Sequence, residues 1–337
     1  MRELSLGQAV DRAIEDAMAR DRTIVLIGED APMLRAPLFA RFGADRVLAA
    51  PISESAFFGA AAGAAMAGLH PVVELYMVDF LAVAFDAVLN HIAKLEGFSG
   101  GAWKAPLVIR APSGGWYGDG GQHGQSLWGS VASIPGLVVV VASTPADAYG
   151  LMTTALSHDG PVIFMEPKLL SEDWLEFLGR GGRDTVSFDI PSAGAFGPVP
   201  GPPHAVPFGE AAVRRHGDDV TVVSVAVGVH RALEAAARLE VSNISCEVID
   251  LRSLRPLDSR TIVESVTKTG RLLVVDEDYR EFGLSGELAA VCLEAALSPR
   301  FARVCVEDTL PYARDLESAA LPNVDRIVEA AVSLADV

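Results

Sequence analysis

Short, almost uninterrupted apolar runs recur along the whole chain, and segments with helical periodicity separate them. Residues 137–142 read Leu-Val-Val-Val-Val-Ala and residues 161–165 read Pro-Val-Ile-Phe-Met, with a helical pattern at 145–158 between them. A strand without polar alternation is buried on both faces, and strands that alternate with helices are typical of parallel sheets covered on both sides. The sequence therefore predicts an α/β fold.

The same alternation extends over most of the chain and predicts two successive α/β units. In the first half, strands are also predicted at 23–27, 71–76 and 106–110, with helices at 6–18 and 79–97. In the second half, strands are predicted at 219–226, 245–251, 271–276 and 303–306, with helices at 229–239, 259–267, 284–296 and 323–334.

Between the two halves, residues 171–207 lose this pattern. The run from 191 to 207 is rich in Pro and Gly, so it cannot continue a helix, and we expect it to bury little surface. A chain of 337 residues is expected to form about two domains. We therefore predict a first domain at 1–190, a linker at 191–207 and a smaller second α/β domain at 208–337.

Composition excludes several classes of function. The net charge is −17 and no basic block is present, which argues against binding to nucleic acid or to an anionic membrane. The cysteines Cys246, Cys292 and Cys305 lie far apart in apolar runs, as expected for reduced core thiols. The N-terminus lacks the apolar core of a signal peptide, and no run of about 18 apolar residues occurs. We therefore expect a cytoplasmic protein.

Residues 49–69 hold one carboxylate, Glu54, at the start of a segment made almost entirely of Ala, Gly and apolar residues. Pro51 disfavours helix before it, Ser53 can cap the helix, and Glu54 falls in the first turn, where a negative charge suits the helix dipole. Glycines and alanines leave little side-chain bulk, so we expect this helix to be buried against a backbone or a flat ligand. Glu54 is then either a helix-capping charge or a group prepared for proton transfer.

The segment Pro51-Ile52-Ser53-Glu54-Ser55 with its Ala/Gly helix resembles the beta subunit of the thiamine-diphosphate-dependent first component of 2-oxo acid dehydrogenase complexes. This is the family of pyruvate, branched-chain and acetoin dehydrogenases. Matching segments follow in order: Val-Ile-Arg-Ala-Pro at 108–112, Gln122-His123, Ile-Pro-Gly-Leu at 134–137, Ser-Thr-Pro-Ala-Asp-Ala at 143–148, Pro-Val-Ile-Phe-Met-Glu-Pro-Lys at 161–168, Asp-Leu-Arg-Ser-Leu-Arg-Pro-Leu-Asp at 250–258, Thr-Gly-Arg-Leu at 269–272 and Leu-Pro-Tyr-Ala at 310–313.

The resemblance implies a parallel-sheet, pyrimidine-binding domain followed by a smaller transketolase C-terminal-type α/β domain. It also implies assembly with an alpha subunit as an α₂β₂ heterotetramer, with Mg²⁺ and the cofactor diphosphate held by the alpha chain. In this family, the Glu that matches Glu54 hydrogen-bonds the N1′ atom of the cofactor's aminopyrimidine. We therefore predict thiamine diphosphate as the cofactor and Glu54 as both a catalytic and a cofactor-binding residue.

Three further side chains are candidates for the site. Phe80 matches the position at which the family presents an aromatic ring to the aminopyrimidine, and Tyr76 would face the same side if the segment were helical there. The alternative for both is an ordinary core aromatic residue. His123 follows a Gly-rich stretch after a predicted parallel strand, where α/β proteins place ligands, and its imidazole can donate to an oxyanion or pass a proton. The resemblance makes His123 a second catalytic candidate.

Two candidate metal sites differ in their signals. Gly118-Asp119-Gly120 resembles the start of a magnesium–diphosphate motif, but positions 143–150 lack the Asn that completes it, so we predict a flexible loop without a metal role. The resemblance also implies a monovalent cation, typically K⁺, bound by backbone carbonyls. The carbonyls that match are those of Leu107, Ala155, His158 and Gly160.

The leading hypothesis for function is a decarboxylating 2-oxo acid dehydrogenase subunit that passes the acyl group to a lipoyl acyltransferase component. The alternative is a two-subunit thiamine enzyme, acetoin-like or transketolase-like, that makes or cleaves C–C bonds without a lipoyl partner. A scaffold without activity is disfavoured, because it has no need of a carboxylate beside an apolar helix. The family has His-Ser-Gln where this chain has His123-Gly124-Gln125. It has a basic, Tyr-containing segment where residues 169–174 of this chain read Leu-Leu-Ser-Glu-Asp-Trp. Neither departure selects a particular 2-oxo acid.

Overall fold

The computed structural model describes residues 1–171, 188–202 and 204–335. Its strands are β1 Arg2–Ser5, β2 Ile24–Glu29, β3 Val47–Ala50, β4 His70–Glu74, β5 Val108–Ser113, β6 Val138–Val141, β7 Val162–Pro167, β8 Phe196–Val199, β9 Ala212–Arg215, β10 Val220–Ser224, β11 Cys246–Asp250, β12 Ser253–Arg255, β13 Arg271–Tyr279 and β14 Arg300–Val306. The α-helices are Leu6–Arg20, Ala31–Leu34, Ala36–Phe42, Glu54–Met66, Leu95–Phe98, Trp128–Ala132, Pro145–Ala155, Ser192–Ala195, Ala226–Glu240, Ser259–Thr269, Leu284–Glu294, Arg314–Ala320 and Val324–Ala335.

The first sheet has seven strands in the order β12-β6-β7-β5-β4-β2-β3. Its strands are parallel except β12, which pairs antiparallel with β6. One row of paired residues crosses the sheet through Val139, Ile163, Ile109, Val73 and Ile27. The first four are fully buried in one core, which explains why these strands have no polar alternation.

The second sheet has five strands in the order β14-β13-β10-β11-β9. The four strands predicted in this half are all present, and the helices between them lie within a few residues of their predicted positions. Strands β9 and β12 were not predicted. Because β12 comes from the second half of the sequence but joins the first sheet, the two halves share a hydrogen-bonded edge.

The described residues of the Pro/Gly-rich segment 191–207 make more contacts with the rest of the chain than we expect of a linker. Strand β8 pairs antiparallel with β1, which was not predicted either, in a two-stranded sheet. Val199 and Val206 are buried, so the expectation that this run buries little surface is wrong for these positions. Pro198 is compatible with a strand here because β8 is an edge strand. The part of the predicted loop at 172–187 lies outside the described residues.

The long helix predicted at 79–97 is an irregular helical segment. It consists of 3₁₀ turns at Val78–Ala82 and Ile92–Lys94, a π turn at Ala87–His91 and an α-helical turn at Leu95–Phe98. Tight and wide turns do not keep the 3.6-residue period, so apolar residues expected on one face separate. Val88 is buried, whereas Val83 and Phe85 are exposed.

No helix among the described residues combines the length and the apolar character needed to cross a membrane.

Candidate active site

The candidate residues follow strands of the first sheet at the edge where the parallel strands end. Glu54 comes after β3, Phe80 after β4 and His123 after β5, while Lys168 directly follows β7. These strands lie on one side of the sheet, in the order β7-β5-β4-β2-β3. The carboxyl ends of parallel strands form the usual ligand-binding edge of an α/β sheet, so the sequence folds these side chains toward one region.

Glu54 is the first residue of the helix Glu54–Met66 and is partly buried. Ser53 precedes the helix, but its side chain makes no capping hydrogen bond to the described residues, so the predicted cap is not formed. The carboxyl of Glu29, at the end of β2, has its pKa raised by burial and by the nearby charges of Asp30 and Glu54. Glu54 therefore lies near a second carboxylate, and its role as a proton-transfer group or as a helix-capping charge stays a prediction.

The small-residue face of this helix is open. A Cβ atom built on Gly59 or Gly63 would have no described atom within 4 Å. The Ser55 hydroxyl of this helix donates to the Val83 carbonyl at 2.6 Å, so the segment around Val83 lies beside the helix. Exposed apolar side chains lie before the helix, at its end and in this neighbouring segment. These side chains are Ile52, Met66, Leu69, Val83 and Phe85. Within this chain, the expectation that the whole helix is buried is therefore wrong for this face.

Phe80 and His123 are brought together although they lie far apart in the sequence. Their ring centroids are 5.7 Å apart and their planes are inclined at 59°. Both side chains are partly buried. This contact links the proposed aromatic platform to the proposed proton carrier.

Tyr76 does not follow the argument made for it from helical spacing. The 3₁₀ turn begins only at Val78, so Tyr76 lies in a non-helical connection after β4. Its hydroxyl donates to the Glu74 carboxylate at 2.8 Å. Burial raises the pKa of the Tyr76 hydroxyl well above its usual value, and the Glu74 charge raises it further. The Glu74 carboxylate also accepts hydrogen bonds from Arg35 and Arg110, so Tyr76 belongs to a buried ionic cluster. Contact between Tyr76 and a cofactor stays a prediction.

A hydrogen-bonded bridge that sequence reasoning missed connects the two domains at the site. Gln125 donates from its backbone amide and its side-chain amide to Asp79, which directly precedes Phe80, at 3.3 and 2.8 Å. The Tyr279 hydroxyl, at the end of β13, donates to the Gln125 side-chain oxygen at 3.0 Å. The bridge therefore fixes the Phe80 and His123 segments relative to the second domain.

The Gly118-Asp119-Gly120 loop is held by the second domain, which corrects the expectation of a flexible loop. The Glu317 carboxylate accepts hydrogen bonds from the backbone amides of Trp116 at 3.0 Å and Gly118 at 2.7 Å. Asp119 lies with one carboxylate oxygen 3.7 Å from the Lys168 ammonium. The triplet thus has packing and charge partners within this chain, and its carboxylate is not presented as a free metal ligand.

Three consecutive buried acids near the end of β13 accept hydrogen bonds from the first domain, two from the helix Trp128–Ala132 and one from Trp116. Asp276 accepts from the Trp128 indole at 2.8 Å, Glu277 from the Trp116 indole at 3.0 Å and Asp278 from a backbone amide at 2.8 Å. Burial raises the pKa of Asp276 to about 7, and the charge of Asp278 adds to the effect. Burial likewise raises the pKa of Glu277 to about 7. The contact between the two domains therefore buries carboxyl groups whose pKa values are raised.

Two of the four carbonyl groups that match the family's monovalent-cation site already accept backbone hydrogen bonds. The Leu107 carbonyl accepts from the Val162 amide at 3.0 Å, and the Ala155 carbonyl accepts from the His158 amide at 3.2 Å. Each oxygen has a second lone pair, so a cation site that also includes Gly160 stays a prediction. Among the described residues, no group of three or more His, Cys, Asp or Glu side chains is arranged to hold a metal ion.

Comparison with protein families defines the class of this chain. Residues 2–172 match the transketolase pyrimidine-binding domain, and residues 209–327 match the transketolase C-terminal domain. A solved structure described as a split-gene transketolase, in an inactive beta4 tetramer, matches with a TM-score of 0.76 over 98% of both chains. Its sequence identity is 22%, so it supports the fold alone. The predicted fold class is confirmed.

Curated relatives narrow the class to one family. The chain is 38% identical to the beta subunit of acetoin:2,6-dichlorophenolindophenol oxidoreductase from Cupriavidus necator, over 98% of this chain and 97% of that protein. It is 37% identical to the pyruvate dehydrogenase E1 beta subunit of Rickettsia conorii, over 97% of each. It is 35% identical to the 2-oxoisovalerate dehydrogenase beta subunit of Bacillus subtilis, over 100% of each. The chain belongs to the beta-subunit family of pyruvate, branched-chain and acetoin dehydrogenases.

Proposed function

We propose that this chain is the beta subunit of a thiamine-diphosphate-dependent 2-oxo acid dehydrogenase. It decarboxylates a 2-oxo acid and passes the acyl group to a lipoyl carrier, and it is active only with an alpha subunit. The observation that carries this proposal is the meeting of Phe80 and His123 at the sheet edge where Glu54 begins its helix. Family membership supplies the reaction class.

The side chains at this edge fit the pyrimidine end of thiamine diphosphate. Glu54 is a partly buried carboxylate at the start of its helix, and Phe80 offers an aromatic surface. When bound, thiamine diphosphate supplies the carbon nucleophile and the electron sink that 2-oxo acid decarboxylation requires. Glu54 holds a proton at N1′ of the aminopyrimidine, and His123 holds or moves a proton near the reacting carbon.

The diphosphate end does not fit the described part of this chain. Asp119 is directed to Lys168, and no cluster of acidic or His side chains is available for Mg²⁺ among these residues. An acidic chain with a net charge of −17 repels a free diphosphate. We therefore assign Mg²⁺ and the diphosphate to the alpha subunit, which covers the open face of the helix Glu54–Met66 in an α₂β₂ assembly.

Three finer features belong to the same proposal. A lipoyl acyltransferase component accepts the acyl group, the protein acts in the cytoplasm, and K⁺ binds to the carbonyls of Leu107, Ala155, His158 and Gly160. The alternative is an enzyme that acts on acetoin or on C–C bonds without a lipoyl partner. The name of the Cupriavidus necator relative, which specifies acetoin and an artificial dye, favours keeping this alternative.

Product analysis of the assembled enzyme tests the proposal. The chain is co-expressed with an alpha subunit from the same family, and CO₂ release from a series of 2-oxo acids is measured with and without a lipoyl domain. We expect decarboxylation and acylation of the lipoyl domain to occur together. Activity on acetoin alone, without lipoyl acylation, would support the alternative, and no thiamine-dependent turnover of either substrate class would contradict both.

A further inference from the structure

We propose that Lys168 is a positioning residue for His123: its ammonium group holds the backbone of the histidine in the place that the reaction needs. This inference rests on the proposed function, because it assigns a purpose to the placement of His123. Lys168 contacts residues of the loop 117–123 and Met77. It acts through the loop that carries the imidazole.

The contacts of Lys168 support this role. Its ammonium donates a hydrogen bond to the His123 carbonyl oxygen and lies 3.7 Å from a carboxylate oxygen of Asp119. The same nitrogen lies 3.7 Å from the Met77 sulfur and 5.5 Å from the centroid of the Tyr117 ring. The ammonium group therefore lies near three residues of the loop, Tyr117, Asp119 and His123. It also lies near Met77, in the segment that leads to Phe80.

Burial makes this cation costly, which argues that its place is not incidental. The Lys168 side chain has 0% exposure, and it directly follows the buried strand β7. Burial lowers the pKa of Lys168, and the charges of Asp119 and Asp79 oppose that change. A buried ammonium persists only where acceptors and opposite charges surround it, and here its acceptor is the backbone of a proposed catalytic residue.

The loop offers few other direct restraints at His123 itself. Its amide donates to the Gly120 carbonyl at 3.3 Å, and its ring contacts Phe80. The Glu317 anchors lie five to seven residues earlier, at Trp116 and Gly118, and the hydrogen bonds from Gln125 to Asp79 lie two residues later. Loss of the Lys168 ammonium is thus expected to shift His123 locally while the earlier part of the loop stays anchored.

A double-mutant cycle in the assembled enzyme tests the inference. Lys168→Met keeps an unbranched side chain of similar length and removes the ammonium. Since a misplacement of about 1 Å can cost on the order of 10²-fold in rate, we expect kcat to fall about 10- to 100-fold with little change in thiamine diphosphate affinity. In a His123→Ala background, the same change should alter kcat less than about 2-fold, because the group it positions is gone.

Hydrogen exchange of the full chain gives a readout that is independent of activity. Lys168→Met should speed amide exchange in the peptide around His123, while exchange in the helix Ala226–Glu240 should match wild type. Faster exchange in both regions would show a general loss of packing and would overturn the positioning role. If Lys168→Met does not fold, Asp119→Asn, which removes the negative charge beside the Lys168 ammonium, is measured in the same double-mutant cycle. We expect it to lower kcat in the same direction but by less.

The outcomes separate this inference from the proposed function. Equal losses of kcat from Lys168→Met in both backgrounds, or no loss in the wild-type background, would overturn the positioning role while leaving the function intact. An unchanged kcat in His123→Ala alone would instead contradict the role proposed for His123. In that case the hydrogen-exchange comparison still reports whether Lys168 anchors the loop.

Discussion

Glu54 and His123 lie at the same edge of one sheet, but their surroundings differ. In the helix that begins at Glu54, a Cβ atom added to Gly59 or Gly63 would meet no described atom outside the helix within 4 Å, and Ile52 just before it is 76% exposed. The loop that carries His123 is hydrogen-bonded to Lys168 of the first domain and to Glu317 of the second domain. One side of the site is completed within the chain, and the other is open.

This difference indicates how the site is assembled. Groups that must be placed accurately for proton transfer near the substrate are fixed by buried charges and hydrogen bonds when the chain folds. The apolar, small-residue surface near Glu54 instead has the character of an interface that a partner covers. We therefore propose that this chain contributes a half-site, which is held by internal contacts around His123 and is incomplete around Glu54.

The largest effect is expected from Glu54→Gln. The amide keeps the size of the side chain but cannot exchange a proton with N1′, and acid–base groups contribute about 10²–10⁴-fold to rate. We expect kcat of the assembled enzyme to fall within that range while assembly is unchanged. Glu329→Gln, an exposed carboxylate in the last helix, is the matched control and should keep wild-type turnover. Near-normal activity of Glu54→Gln at saturating cofactor would rule out its proposed role.

The open face is tested by Gly59→Leu. Since a side chain at this helical position meets no described atom, the chain alone should fold with a stability equal to or above that of wild type. Binding to the alpha subunit should weaken by about 10²-fold, because a bulky side chain prevents close packing. Gly286→Leu, at a helical glycine with similar open space, is the control for the change in helix propensity. Unaltered assembly of Gly59→Leu would show that the partner does not cover this face.

A smaller effect is expected from Asp276→Asn on the rigid side. The pKa of Asp276 is raised to about 7, so the carboxyl stabilises the fold in its protonated form, fully below its unfolded pKa near 4, and this stabilisation is lost as pH rises through 7. The amide still accepts from the Trp128 indole but does not ionise. We expect the variant to gain roughly 1–3 kcal/mol in free energy of unfolding at pH 8, and much less at pH 5.

Denaturant unfolding of the chain at both pH values measures this difference. Glu281→Gln, an exposed carboxylate two residues beyond β13, serves as the control and should show no such pH-dependent gain. An equal effect of Asp276→Asn at pH 5 and pH 8 would mean that ionisation of this group does not limit stability.

Much of the fold could be predicted because local patterns reflect burial. Runs such as residues 137–142 are apolar throughout since both faces of their sheet are covered, and this gave the parallel architecture. Strand β12 has only the residues Ser-Leu-Arg, and β8 contains Gly and Pro, so neither carries a strand signal. Their pairing depends on what the rest of the chain brings beside them.

Candidate site residues could be named where a single position carries a signal, but their long-range contacts could not be predicted. Glu54 and His123 stand out by their neighbours in the sequence, and the structure adds that His123 meets Phe80. Gln125 and Tyr279 are 154 positions apart, and nothing local in either segment indicates their hydrogen bond. Lys168 appeared only within the matching segment 161–168, and its acceptor at His123 could be found only in the folded chain.

Calorimetric titration of thiamine diphosphate with Mg²⁺ tests the half-site most directly. The purified chain is measured alone and then assembled with its alpha subunit, under the same salt and pH. The half-site predicts no measurable heat of specific binding for the chain alone and saturable, Mg²⁺-dependent binding for the assembly, because the diphosphate needs metal ligands that the described part of this chain does not offer. Tight Mg²⁺-dependent binding to the chain alone would contradict the proposal that this chain holds only half of the site. Asp119 would then have to be considered again as a metal ligand.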